Sequence, residues 1–145
     1  MFESSGAEIP SNVKGGYIEY EAGETLSARD LIYIADYGKA WKADASEPEK
    51  RPATAIVWSG GDAGESVWAI QEGIVPGYSG LTIDGYCYLS ETAGELTQSA
   101  PAFGQVVGVA VSETSVSIDV AAYIDEVNYD GAVEALIYER FIGGL

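Results

Sequence analysis

Short bursts of apolar residues, each broken by Gly, Pro, Asp or Ser, set the rhythm of the chain. The stretches "DLIYIAD", "ATAIVW", "ESVWAIQ", "GYCYLS", "QVVGVAV" and "SVSIDV" are rich in β-branched or aromatic types and bounded by turn formers, which predicts strands. Alternation is cleanest in the last of them. Val116, Ile118 and Val120 fall on one face and Ser117 and Asp119 on the other, the mark of a sheet with one wet side. Residues 59–66, "SGGDAGES", separate two Trp-containing strands and supply the glycines that a tight reversal needs, so they predict a hairpin.

A weak internal echo runs through the pattern. "LIYIADYGKAWKADA" (31–45) and "YCYLSETAGELTQSA" (86–100) share one grammar: an aromatic-aliphatic strand, a few polar or small residues, a glycine, then a half-apolar strand ending in alanine. Tyr33 and Ile34 correspond to Tyr88 and Leu89, and Gly38 to Gly94. Each stretch is followed by a further strand pair, "TAIVW" with "SVWAI" and "VVGVAV" with "SVSIDV". Two readings stay open: two related β-units, or the hairpin repetition common to small β-chains. Both give an all-β fold, an antiparallel small barrel or sandwich of hairpins. Tyr33, Trp41, Trp58, Trp68, Tyr86 and Tyr88 are expected to supply core and interface area, most of them core.

The ends read differently. Residues 1–20 hold Gly6, Pro10, Gly15 and Gly16 among scattered apolar residues, which suits an extended N-terminal arm. The body is then 21–120, and 121–145 is a C-terminal extension. In that extension "NYDGAV" offers a hairpin turn while Val133, Leu136, Ile137 and Phe141 approach helical spacing, with the hairpin favoured. An arm needs a partner surface, and its apolar residues Phe2, Ile9, Pro10, Val13 and Tyr17, with Phe141 and Ile142 at the other end, are the candidate partner-binding residues.

Composition narrows the classes of function. The chain of 145 residues is the size of one domain, large enough to bury about two thirds of its unfolded surface. It has 23 acidic residues against 7 basic ones and no histidine, for a net charge of −16. Nucleic acid and anionic membrane surfaces would repel such a chain, and no apolar run approaches the length of a spanning helix. The start, "MFESSGAEIP", has neither the basic region nor the apolar block of a secretion signal. A soluble protein is expected.

Chemistry-bearing groups are sparse. Without histidine there is no imidazole base, and with one cysteine no thiolate cluster. Cys87, between Tyr86 and Tyr88, reads as a small buried residue. "SGGDAGES" lacks the lysine of a phosphate-binding loop. The acid pairs Glu19/Glu21, Glu47/Glu49 and Asp125/Glu126 are of the kind a chain with 23 carboxylates contains by chance, and Asp125, Glu126 and Asp130 match no calcium-loop spacing. No enzyme, metal or cofactor is expected.

One resemblance adds a function. Ala22-Gly23, Gly38, Ala40 to Ala45, the "GESV" of Gly64 to Val67, Glu72-Gly73, Gly85 to Ser90, "GELT" at Gly94 to Thr97, Pro101 and "VGVA" at Val107 to Ala110 follow one another. In that order and spacing they resemble the small decoration, or cement, proteins of tailed phages and related archaeal viruses, over about residues 22–120. The resemblance implies a virion structural protein on the capsid exterior that bridges neighbouring copies of the major capsid protein, as a homo-oligomer and most simply a trimer. Related modules in head fibres, turrets and tails imply a second role, binding a host receptor or glycan. A small carboxylate hydrolase is the third class, and it requires two carboxylates facing across a cleft. The charge itself has two readings, a surface adapted to multimolar salt or attraction to a basic capsid patch; acids scattered through almost every turn favour the salt-adapted one.

Overall fold

The computed structural model of the chain describes residues 16–120. Among the described residues ten strands appear: β1 (Ile18–Ala22), β2 (Leu31–Ala35), β3 (Lys39–Lys42), β4 (Ala55–Ser59), β5 (Ser66–Ile70), β6 (Glu72–Val75), β7 (Tyr86–Leu89), β8 (Leu96–Thr97), β9 (Val106–Ala110) and β10 (Val116–Asp119). The first five close into a barrel in the order β1-β3-β2-β4-β5, and the rest form an open sheet in the order β6-β10-β9-β7-β8. The all-β expectation holds, with barrel and sheet both present. Directions cannot alternate around a closed ring of five, so one pair must run parallel; it is β1–β3, joined through Glu21↔Lys39 and Ala22↔Ala40.

Alternation along the strands builds two cores. Ile32, Val57, Val67 and the alanines at 22, 40, 55 and 69 fill the barrel, because the lumen of a barrel with few strands is narrow and takes small side chains. Their neighbours Leu31, Ile56 and Ile70 point outward and meet Cys87, Leu89, Val107, Val116, Ile118 and Val120 of the sheet. Strands β2 and β4 are thus apolar on both faces, which is why "LIYIA" and "AIVW" read as continuous apolar runs. Val116, Ile118 and Val120 are fully buried and Ser117 and Asp119 face the other way, as their alternation requires. The 59–66 hairpin joins β4 to antiparallel β5, with a bulge between Val57 and Ser59.

The aromatic residues meet the expectation in part: Tyr33 and Trp58 pack against the interlayer core. None of Tyr33, Trp41, Trp58, Trp68 and Tyr88 is fully buried, and Tyr86 is 57% exposed. Branched aliphatics already fill the space between the layers, and the lumen is too narrow for rings, so the rings line the margins. The Trp41 indole, for example, lies flat on Gly23, where a Cβ would stand only 2.3 Å from it.

The two halves share one strand order. Reading β1 as β6, β2 as β7, β3 as β8, β4 as β9 and β5 as β10 converts the barrel order into the sheet order. The connecting hydrogen bonds repeat as well. Asp30 N donates to Ser27 O and Gly85 N to Thr82 O, both at 3.1 Å. Arg29 N donates to Val57 O and Asp84 N to Ala110 O, both at 2.8 Å, while Val57 N returns to Asp30 O and Ala110 N to Gly85 O. Arg29 and Asp84 both hold positive φ, 75° and 69°. The halves differ in closure: β8 is the two residues Leu96–Thr97, too short to reach β6 as β3 reaches β1.

The body begins earlier than the composition suggests. Ile18, Glu19 and Tyr20, placed in the arm by the sequence, pair with Ala69, Trp68 and Val67 as part of β1. Their Ile-Glu-Tyr-Glu alternation is a strand pattern that the adjoining glycines obscured.

Candidate functional site

The described acid pairs, Glu19/Glu21 and Glu47/Glu49, lie at the surface. Glu19 and Glu21 are exposed on β1, and Glu21 meets Lys39 at 3.9 Å on the surface. Glu47 meets Lys50 at 3.7 Å beside Glu49. Among the described residues no group of three or more His, Cys, Asp or Glu stands together to hold a metal ion. Cys87 is buried, and burial pushes its thiol up, away from the thiolate that reactivity needs. Asp125, Glu126 and Asp130 lie outside the described residues.

Of the candidate partner-binding residues only Tyr17 is described; Phe2, Ile9, Pro10, Val13, Phe141 and Ile142 lie outside. Tyr17 is half-buried, packs against the interlayer core, and sets its ring 5.6 Å from that of Trp68. It anchors the start of the body to the barrel.

Surfaces able to meet a partner lie elsewhere. At the β2–β3 tip, Asp36, Tyr37 and Gly38 have successive φ values of 53°, 66° and 89°, and Tyr37 is fully exposed at 107%. Holding a tyrosine in the left-handed region costs on the order of 1–3 kcal/mol, and such strain concentrates at functional positions. A second surface lies on the sheet, where Ile83, Tyr86 and Val111 are exposed at 52%, 57% and 46%, and Tyr86 makes an edge contact with Tyr88 at 6.4 Å.

The third is a groove at the seam between barrel and sheet. A cavity of about 250 Å³ is lined by Ala28, Arg29, Val57, Trp58, Val75 and Pro76. Beyond Arg29 a second, of about 260 Å³, is lined by residues including Asp30, Tyr78 and Leu96. The Tyr78 hydroxyl is buried without a hydrogen-bond partner among the described residues, and burial raises its pKa while Arg29 opposes the shift. Sequence reasoning singled out neither Arg29, Tyr37 nor Asp84. A signal for Tyr37 was present in "DYG", an aromatic where hairpin tips favour Asn or Gly; for Arg29 and Asp84 it was the echo between "SARD" and "TIDG".

No protein-family model matches the chain, and no curated protein matches it. Among the described residues no helix is long and apolar enough to cross a membrane.

Proposed function

We propose that the chain is a virion structural protein that decorates the capsid shell, stabilising it by bridging neighbouring copies of the major capsid protein and associating with its own copies, as a trimer. The observation that carries the reading is the ordered series of elements from Ala22 to Ala110 that resembles decoration proteins. The two-layer β-body supports it, since a clip between capsomers needs a stiff body with projecting contacts, and many copies multiply weak contacts through symmetry. Catalysis is not part of this role. A fibre, turret or tail module binding a host glycan is the second reading, favoured by the exposed rings of Tyr37 and Tyr86, which suit stacking on sugar.

The N-terminal arm gives the experiment. Deleting residues 1–14 leaves β1 and the body's pairing residues in place, so the truncated chain is expected to melt like the full one yet bind undecorated capsids at least about tenfold more weakly, as the loss of a strand-adding or apolar anchor requires. Undiminished capsid binding contradicts the arm's role.

The charge predicts a salt dependence. Glu21, Asp36, Asp62, Asp84, Glu91 and Glu113 are all exposed and spread over both halves, and the ion pairs at Lys39 and Lys50 are long and superficial, worth about 0–1 kcal/mol each. Self-repulsion then dominates in dilute buffer, and roughly molar salt screens it to within about 3 Å. Thermal melts from low to multimolar sodium chloride are expected to show Tm rising throughout, with capsid binding strengthening in parallel. A protein that is most stable and binds best at low salt is instead drawn to its partner by opposite charge.

A further inference from the structure

Equivalent positions in the two halves carry opposite charges, each set in an apolar frame. In the first half Arg29 borders the seam groove with Ala28 and Trp58. Its guanidinium lies against Gly77, where a Cβ would stand 2.6 Å from Nη1, so the loop after β6 fixes its direction. Among the described residues it makes no ion pair, in a chain with 23 carboxylates. In the second half the matching backbone position is Asp84, exposed and flanked by the exposed apolar side chains of Ile83 and Val111. The repeated hydrogen bonds fix the correspondence: Arg29 N on Val57 O and Asp84 N on Ala110 O place Ala28 with Ile83 and Trp58 with Val111.

We propose that a second copy of this chain covers both surfaces, with Asp84, Ile83 and Val111 of one copy seated in the Arg29 groove of the next. Contacts between like surfaces bring each residue close to its own equivalent near the two-fold axis. Two copies of one half would set like charges against each other there. Arg29 in one half and Asp84 in the other make the contact attractive, with the apolar frame excluding water around the pair. Each copy keeps its other surface free, so the contact repeats from copy to copy and closes as a ring where the rotation allows. The inference rests on the self-association in the reading above and not on the capsid.

Charge exchange tests it without new backbone strain, because an arginine and an aspartate already occupy these left-handed positions. The full chain, R29D, D84R and the double exchange R29D/D84R are compared by sedimentation equilibrium at matched salt concentrations, from the lowest at which all four are folded upward, with thermal melts to confirm folding. The wild type is expected to associate, each single variant at least about tenfold more weakly because like charges then oppose each other, and the double variant to regain the wild-type association. If a single variant fails to fold, R29Q and D84N replace it, with weaker association again expected. A monomeric wild type, single variants that associate normally, or a double exchange that does not recover each overturns the inference. Capsid binding on the same samples separates the two proposals: a monomer that still decorates capsids removes this interface and leaves the capsid role standing.

Discussion

Replacing Gln105 with leucine is expected to lower the stability of the body by about 2–6 kcal/mol, at about 1–3 kcal/mol for each buried polar group left unpaired. Gln105 is completely buried, and its amide serves as a piece of backbone: Ala53 N donates to Oε1 at 2.8 Å, and Nε2 donates to Ala53 O at 2.9 Å. Ala53 belongs to the barrel half and Gln105 immediately precedes β9, so the pair joins the two layers across 52 residues of sequence. Leucine fills the volume but leaves the Ala53 N–H and the Ala53 C=O without the amide that pairs them. Chemical denaturation should show the midpoint falling, with Tm lower by roughly 10 °C. Gln98 supplies the control. It makes the same two bonds to Thr82, at 2.8 and 2.9 Å, but at an exposed site where water replaces them, so Q98L is expected to cost about 1 kcal/mol or less. Equal losses in the two variants would show that burial is not what gives the Gln105 bonds their weight.

Gly108→Ala is the second large effect. Gly108 is buried in β9, paired with Cys87 on one side and Ile118 on the other. A Cβ there would stand 2.4 Å from the carbonyl oxygen of Ser117 and 2.9 Å from Val116 Cγ1. The obstacle is backbone of the neighbouring strand, which cannot yield without parting the β9–β10 ladder. Overpacking of this kind costs about 1–3 kcal/mol and more where backbone must move, so a loss of about 3 kcal/mol is expected by denaturant titration. Gly104, four residues earlier, has only Pro101 O at 3.7 Å from the same added atom, and Gly104→Ala should leave stability unchanged or raise it by roughly 0.5 kcal/mol. A Gly108→Ala variant as stable as Gly104→Ala would mean that the strands pair less closely than described.

Much of this fold is legible in the chain, because period-two alternation with one wet face leaves an unambiguous trace. Val116, Ile118 and Val120, the 59–66 hairpin and the burial of Cys87 follow from local pattern. The echo between 31–45 and 86–100 reflects a shared strand order that extends to hydrogen bonds outside both quoted stretches. What local pattern misses is set by distant partners. Strand β6 begins with Glu72-Gly73 and reads as a bend, yet it pairs with β10 along its length. Gln105 reads as a polar residue at a strand edge, and only the Ala53 peptide 52 residues away explains its burial. The tryptophans and tyrosines read as core by size, but the narrow barrel lumen has no room for tryptophan, and rings such as Tyr33 and Trp58 instead pack half-buried against the interlayer core. Of the candidate surfaces, the arm residues stand out by composition, whereas Arg29, Asp84 and Tyr37 stand out through left-handed backbone and exposure, properties that appear only once the turns are built.

A structural role on the capsid exterior can be read from the number of copies of this chain in purified virions, counted against the major capsid protein by quantitative mass spectrometry. A decoration protein must follow the symmetry of the shell, so on the order of hundreds of copies per particle are expected, in a simple ratio to the major capsid protein. A handful of copies would place the chain in a fibre or tail, and none would remove it from the virion altogether; either count rules out a role in decorating the shell.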